Sequence, residues 1–360
     1  METENRINKI LRWAPTVIGY SAMYIMTWFW SFWSIGEMYH EGWWGAWYNR
    51  AFYLIPMILF VGLTLIVLYF PKTGAWITIG FGILLTGFFW GDEILSGDFS
   101  LQNLAGFLPI GGGLVLFGFL FFAESKRRKR RAETGWVPSS PRWWRRNWYT
   151  LLLVSVIIAI ILSFSVYYVP KIIRQVDDGY RGEVKIEGNG ITLIWAPKGP
   201  GWNWQQEWGG YPSWSAISLY GIEPIGLEGK TDEWGSMAEA EQYHLCLYLN
   251  EDGTQLKPER QDIWRMPTVD EIVRSLVVAG KNAGCAWNGE IEQMVCTTEP
   301  FKSGPLWALD EAPIYYWAYE ESPEDEREAY FVSHNGWVNV TRKFGGNPRH
   351  SYRCVKDISP

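Results

Sequence analysis

Four cysteines, Cys246, Cys285, Cys296 and Cys354, and four histidines, His40, His244, His334 and His350, carry most of the chemistry that this 360-residue chain can offer. No Cys-x-x-Cys pair occurs, so the thiols do not read as a zinc site; an even count suits two disulfides in an oxidising compartment. Glu37-x-x-His40 sets a carboxylate and an imidazole on one helical face, a spacing that metal ligands use. The plainer reading of that pair is a solvated helix end. Ser333 beside His334 has no placed acid and makes no triad, and His244, His334 and His350 read as packing or surface residues. The runs "ALDEA" (308–312) and "YEESPEDERE" (319–328) offer hard oxygens. Ca2+ is the ion they would suit, but they lack EF-hand spacing and read as solvated acidic loops, so no cofactor is expected.

These residues must be positioned by two unlike halves. From about Pro15 to Val169 long apolar runs dominate, whereas Asp177 to Pro360 is polar and rich in Gly and Pro. A hydrocarbon layer about 30 Å thick needs roughly 20 apolar helical residues. Five stretches qualify: Pro15 to Ile35, Ala51 to Phe70, Ala75 to Trp90, Leu104 to Ala123, and Trp148 to Val169. The last is the clearest, with Trp148 and Tyr149 at one end and Tyr167 and Tyr168 at the other, where amphipathic rings prefer the interfaces. Glycines 80, 82, 87 and 111–113 read as sites of close helix packing.

The net charge of −6 averages an acidic C-terminal half with the basic run "KRRKRR" (126–131) and Arg142, Arg145 and Arg146. A basic run between apolar segments reads as a topology signal and not as a nucleic-acid site. It places residues 125–147 and the N-terminus in the cytoplasm. An odd number of spans then puts the C-terminal half outside, together with the loops "GEMYHEGWWGAWYNR" and "GDEILSGDFSLQN". The first span lacks a small-residue cleavage site and reads as a retained anchor.

Residues 170–181 read as a connector to an α+β domain. "EVKIEGNGITLIW" is a hairpin turning at Gly188-Asn189-Gly190, followed by a helix from about Met237 to Leu249 that carries Cys246. In "WRMPTVDEIVRSL", Pro267 disfavours helix at Met266, Thr268 caps, and Glu271 completes a capping box; the helix is expected to run to Gly280, with Trp264 as a core anchor. Late strands follow in "PIYYWAYE", in "REAYFVSHNGWVNV" with an Asn335-Gly336 turn, and in "HSYRCVKD". The stretch "GPGWNWQQEWGGYPSW" excludes regular helix. Its Trp202, Trp204, Trp208 and Trp214 either stack on a ligand or fill a small core.

"LNEDGTQLKPERQDIWRMPTVDEIVRSL", "YYWAYEE", "AYFVSHNGWV" and "YRCVK" together resemble the Lcl C-terminal domain family over about Gly182 to Lys356. That resemblance implies a fold related to C-type lectin-like domains and formylglycine-generating enzymes, with the first and last strands meeting. Those enzymes use a close pair of copper-binding thiols, and Cys354 has no nearby partner motif. The expected pairing is Cys246 with Cys354 and Cys285 with Cys296, which consumes the thiols an oxidase needs. The first four spans, "FWSIGE" through "FFAESKRRKRR", resemble in layout small four-helix bacterial membrane domains of unassigned function, which implies no activity.

The fold class expected is therefore a membrane all-α helical bundle of about five transmembrane helices, with a four-helix domain over residues 1–124 and a fifth helix over 148–169. It is followed by an α+β C-type lectin-like extracytoplasmic domain over 182–357. The function expected is a multi-pass protein of the cell membrane that displays a disulfide-tied binding module to a glycan, a peptide or a partner membrane protein, with the lipid bilayer as its other partner. The alternatives are a structural subunit of a membrane complex and a metal- or thiol-dependent extracytoplasmic enzyme.

Overall fold

The computed structural model of the chain describes residues 2–96, 101–134, 147–205, 210–222, 235–344 and 349–358. It divides into two compact units. One holds Met1–His40 and Arg50–Val166, the other Glu41–Asn49 and Tyr167–Pro360.

The first unit is helical: α1 (Glu2–Glu37), α2 (Trp47–Tyr53, whose first residues belong to the second unit), α3 (Ile55–Tyr69), α4 (Pro71–Ser96), α5 (Leu101–Glu133) and α6 (Trp148–Ile173), which leaves this unit after Val166. Proline within the first turn of α3 and at the first residue of α4 supplies a φ suited to helix entry where no intrahelical N–H is needed. Apolar helices gain little from mutual burial in an apolar setting, so small residues and short hydrogen bonds must join them. Thr27 Oγ1 lies 2.7 Å from Thr64 Oγ1, and Ser34 Oγ accepts from the Met57 N–H at 3.2 Å, both joining α1 to α3. A Cβ on Gly82 would sit 2.6 Å from the Gly111 carbonyl, and one on Gly118 would sit 2.9 Å from that of Ala75. The close glycine packing read from the sequence therefore holds at Gly82 and Gly111, while Gly80 and Gly87 face open space.

The basic run takes part in a buried ion-pair network. Glu124 is 2% exposed and accepts from Thr16 Oγ1 at 2.6 Å, from Arg127 Nε at 2.5 Å and from Arg128 Nε at 2.9 Å. Arg128 also donates to Tyr20 Oη at 2.8 Å. A buried carboxylate is tolerable only when fully paired, and here the pairing fastens α5 to α1.

Among the described residues, α6 is the one helix long and apolar enough to cross a membrane, and α2 with α3, bent by 43° at their junction, passes as a pair. Five spans are expected from the sequence. Besides α6 and the bent pair over Ala51 to Phe70, the three other stretches are helical, but among the described residues length and composition do not mark them as spans.

In the second unit β1 (Val184–Gly188) and β2 (Ile191–Trp195) form the expected hairpin, with Asn189 at φ 53° and Gly190 at φ 84°. The last strand, β11 (Val355–Asp357), adds antiparallel to β2, Val355 opposite Trp195. A second sheet runs in the order β10 (His350–Ser351), β7 (Tyr315–Glu321), β8 (Glu328–Ser333), β9 (Val338–Arg342), with Gly336 at φ 85° in the Asn-Gly turn. Side chains alternate across a strand. Tyr315, Trp317, Ala329 and Phe331 accordingly face one buried cluster, and Tyr316, Ala318, Tyr330 and Val332 face another. Both faces of the sheet are covered, which is why β7 reads as a continuous aromatic run.

Three helices pack on these sheets: α7 (Trp214–Ser218), α8 (Met237–Tyr243) and α9 (Val269–Ser275). The helix expected to reach Leu249 breaks at His244, which turns extended at ψ 146°, and Cys246 sits on the following 3-10 turn. The Thr268–Glu271 capping box is present, with Thr268 N–H donating to Glu271 at 2.9 Å and Glu271 N–H to Thr268 at 3.2 Å. That helix stops at Leu276 and not at Gly280. The β-branched Val277 and Val278 instead pair as β3 with β4 (Lys281–Asn282) through a turn in which Ala279 and Gly280 have φ 48° and 78°. The short pair β5 (Cys285–Ala286) and β6 (Val295–Cys296) completes the strand set among the described residues.

Two segments read as linkers belong to this unit. Residues 174–181 are fixed by Gln175 donating to the Lys302 carbonyl at 2.8 Å and by Arg181 bonding Asp177 and Asp310, each at 2.8 Å. The loop Glu41–Asn49 supplies Trp44, 2% exposed, whose ring meets Phe301 at 5.7 Å and His334 at 5.7 Å. Arg349 donates to the Trp44 carbonyl at 3.0 Å, and the Tyr315 hydroxyl donates to Glu41 at 2.8 Å. A tryptophan from a loop between the first two helices is thus a core residue of the β-rich half. Truncation to Ala forfeits about 3 to 5 kcal/mol for such a site. Trp44→Ala should lower the unfolding temperature of this unit by about 10 °C in near-ultraviolet circular dichroism of the full chain, whereas Trp47→Ala, whose ring is 76% exposed, should leave it unchanged.

Candidate functional site

The residues singled out in the sequence fall mostly into structural roles. Both disulfides form as paired above, Cys246–Cys354 and Cys285–Cys296, and no cysteine is free. A thiol-dependent reaction has no thiolate to start from in this state.

Stacking on a ligand needs an open ring face. Trp202 and Trp214 are 1% and 0% exposed and have none. The guanidinium of Arg353 lies 3.5 Å from the Trp202 ring centre, and Trp202 Nε1 donates to Tyr316 Oη at 2.7 Å. Trp214 is covered by the Lys343 ammonium at 4.4 Å and donates to the Ala318 carbonyl at 2.8 Å. Trp204 is half-buried against Tyr220, and Trp208 lies outside the described residues. Of the two readings of this stretch, core filling describes Trp202 and Trp214.

Of the two roles expected for His244, His334 and His350, packing or surface, all three take the first. His350 is ringed by Tyr315, Trp317 and Phe331 at 4.6 to 4.8 Å, and His334 accepts from the Lys302 N–H at 3.1 Å. Burial pushes His244 and His350 down to about 3, so both stay neutral near pH 7. Glu37 and His40 approach to 3.9 Å on one helical face. The acidic runs are engaged by the protein's own cations: Asp310 by Arg181, Glu311 by Lys198 at 2.5 Å, Asp325 by Arg327 at 2.8 Å, and Glu321 by Lys343 at 2.7 Å.

The two motifs "WRMPT" and "YRCVK" meet in space. Arg265 and Val355 exchange backbone hydrogen bonds at 2.8 Å, and the Arg265 guanidinium forks onto Glu271 at 2.6 and 2.7 Å and reaches Asp357 at 2.7 Å. Arg353, 1% exposed, donates to the carbonyls of Ala196, Pro305 and Leu306 at 2.8 to 2.9 Å. Beside Thr268, the Val269 N–H donates to the Glu320 carboxylate at 3.0 Å.

An open groove of about 650 Å3 lies elsewhere, lined by Gly182, Glu183, Pro197, Asn250, Glu251, Asp252, Thr254 and Lys356. Its wall is the loop "NEDGT" (250–254). Asn250 Oδ1 accepts from the Thr254 and Gln255 N–H groups at 2.9 and 3.0 Å, Asp252 accepts from Thr254 Oγ1 at 2.6 Å, and Gly253 turns the chain at φ 73°. Lys356 stands over the Trp264 ring at 4.4 Å and donates to Glu183 at 3.0 Å and to the Glu251 carbonyl at 3.1 Å. The hydrogen bonds from Thr254 hold the Asp252 carboxyl below its usual range. A preformed rim of carboxylates around one compensated ammonium suits hydrogen bonding to hydroxyl, amide or ammonium groups. The sequence signal was the Asn-x-Asp-Gly-Thr turn, which reading for fold alone passes over.

Residues 3–134, which span α1 to α5, match the model of a domain of unknown function, DUF7670. No curated protein and no solved structure matches the chain.

One half-buried acid near these motifs gives a pH signature. Desolvation, reinforced by Glu271 and Asp270, pushes Glu320 up to about 7, against the opposing pull of the Val269 N–H. The folded state then holds a proton that the unfolded state has released between about pH 4.5 and 7, so stability falls as pH rises through that window. Glu320→Gln should match the parent near pH 5 and exceed it at pH 8 by about 1 to 2 kcal/mol, solvent screening included, in denaturant unfolding. An equal difference at both pH values would contradict this assignment.

Proposed function

We propose that the chain is a multi-pass membrane protein whose five-helix bundle displays a C-type lectin-like α+β unit outside the cytoplasm, where it binds a polar ligand, a glycan or a peptide, through the groove of Glu183, Glu251, Asp252 and Lys356. The observation that carries this reading is a disulfide-tied unit joined without a break to a 26-residue apolar helix, α6. Disulfides persist in oxidising compartments, and such a helix is long enough to span.

Topology supports the same reading. The charge bias places the loop after the first span and the C-terminal half on one side, and Glu41–Asn49 folds as part of the C-terminal unit. A loop on the opposite side of the bilayer has no access to that core. The Lcl C-terminal resemblance adds the expectation of loops exposed for variation, and the groove is walled by an exposed loop.

The test is binding by the full chain in lipid nanodiscs to a panel of free oligosaccharides and short peptides. Saturable binding by one class is expected, with about a tenfold weakening in Glu251→Ala, equivalent to about 1.4 kcal/mol. A panel with no binder, or a binder indifferent to the substitution, would count against the groove.

A further inference from the structure

The loop closed by Cys285–Cys296 holds apolar side chains in the open. Val295 is 82% exposed, Ile291 44%, and Trp337, on the neighbouring Asn-Gly turn, 42%. The exposure is not slack in the chain. The Met294 N–H donates to the Gly336 carbonyl at 2.8 Å, the Val338 N–H to the Glu292 carbonyl at 3.0 Å, and Gln293 Nε2 to the Asn335 carbonyl at 2.7 Å. A disulfide and three hydrogen bonds thus fix an aliphatic pair and an indole at one edge of the unit.

The place of that edge names its occupant. Three residues beyond Cys296, Glu299 accepts from Lys171 Nζ at 2.5 Å and from the Tyr167 hydroxyl at 3.1 Å, both on the last turns of α6. The Lys171 ammonium also sits 3.7 Å from the Tyr167 ring centre. Tyrosine and snorkelling lysine at the end of an apolar helix mark the headgroup layer. Four residues of chain reach at most about 14 Å, so Val295 lies within that distance of Glu299. Gly336 lies beside the same segment, since a Cβ there would meet Pro300 at 3.3 Å and Cys296 at 3.6 Å. The patch carries Glu290 and Glu292 at its border, which disfavours an anionic surface and suits a zwitterionic one.

We propose that Ile291, Val295 and Trp337 form a foot that enters the headgroup layer of the bilayer crossed by α6, so that the second unit rests on the membrane by a fixed contact. This rests on α6 being a span. Interfacial insertion of about 5 to 10 Å suffices for such side chains, and indole with branched aliphatics is the mixture that layer accepts.

The test uses the full chain in phosphatidylcholine vesicles with one nitroxide at Val295→Cys, compared with Leu162→Cys in mid-α6 and Glu251→Cys on the groove rim. Power saturation reads the ratio of accessibility to oxygen over a water-soluble nickel chelate. The expected ratio at Val295 lies between the controls and about threefold or more above that at Glu251. A ratio equal to that at Glu251 overturns the foot, and shielding from both reagents overturns it in favour of a second copy or a protein partner. An aqueous reading at Leu162 removes the span itself, a different failure. Ile291→Cys gives the same reading should a thiol at Val295 scramble the adjacent disulfide.

Discussion

The second unit depends on how its chain end is fastened. Within five residues, Arg353 fills the space between Trp202 and three carbonyls, Cys354 bonds to Cys246, and Val355 pairs with both β2 and Arg265. The covalent tie spans 108 residues, and loop closure on that scale restricts the unfolded chain by about 4 to 5 kcal/mol. A guanidinium stripped of water is costly, and Arg353 recovers part of that cost by donating from Nε and Nη1 to carbonyls. Here burial pushes Arg353 down to about 9 while stacking and carbonyl oxygens offset the loss. This fastening adds a shared anchor to the buried cluster in which the first hairpin, Trp202 and the capped helix already pack.

With the end fixed, the central sheet is free to be buried on both faces. One face receives Trp44 from the loop between the first two helices, the other the capped helix α9 and Trp307. The arrangement ties two distant parts of the chain into one core.

Much of this was legible in the sequence because the signals are local. Asn189-Gly190 and Asn335-Gly336 turns, the Thr268 to Glu271 cap and the even cysteine count each act over a few residues, and all are present. What was not legible acts at long range. Nothing local distinguishes Trp44, a core residue, from Trp47, an exposed one three positions on. Glu124 reads as the edge of a charged run, and only its distance of 108 residues from Thr16, closed in space, reveals a buried link. Trp202 and Trp214 read either way for a related reason: an aromatic run in a polar half suits a binding surface or a core, and only Arg353 and Lys343, placed over these two rings, decide for the core. The polar groove, built from a turn motif and one lysine, left no apolar signature to find.

The central claim is that this disulfide-tied unit, with the Glu41–Asn49 loop inside it, faces away from the cytoplasm. Intact cells expressing Glu187→Cys, a solvent-facing position on β1, can be treated with a membrane-impermeant maleimide before lysis and denaturing alkylation. The account predicts modification of that added thiol from outside and four native sulfurs inert without reductant. Modification only after permeabilisation, with the native sulfurs reactive, would contradict it.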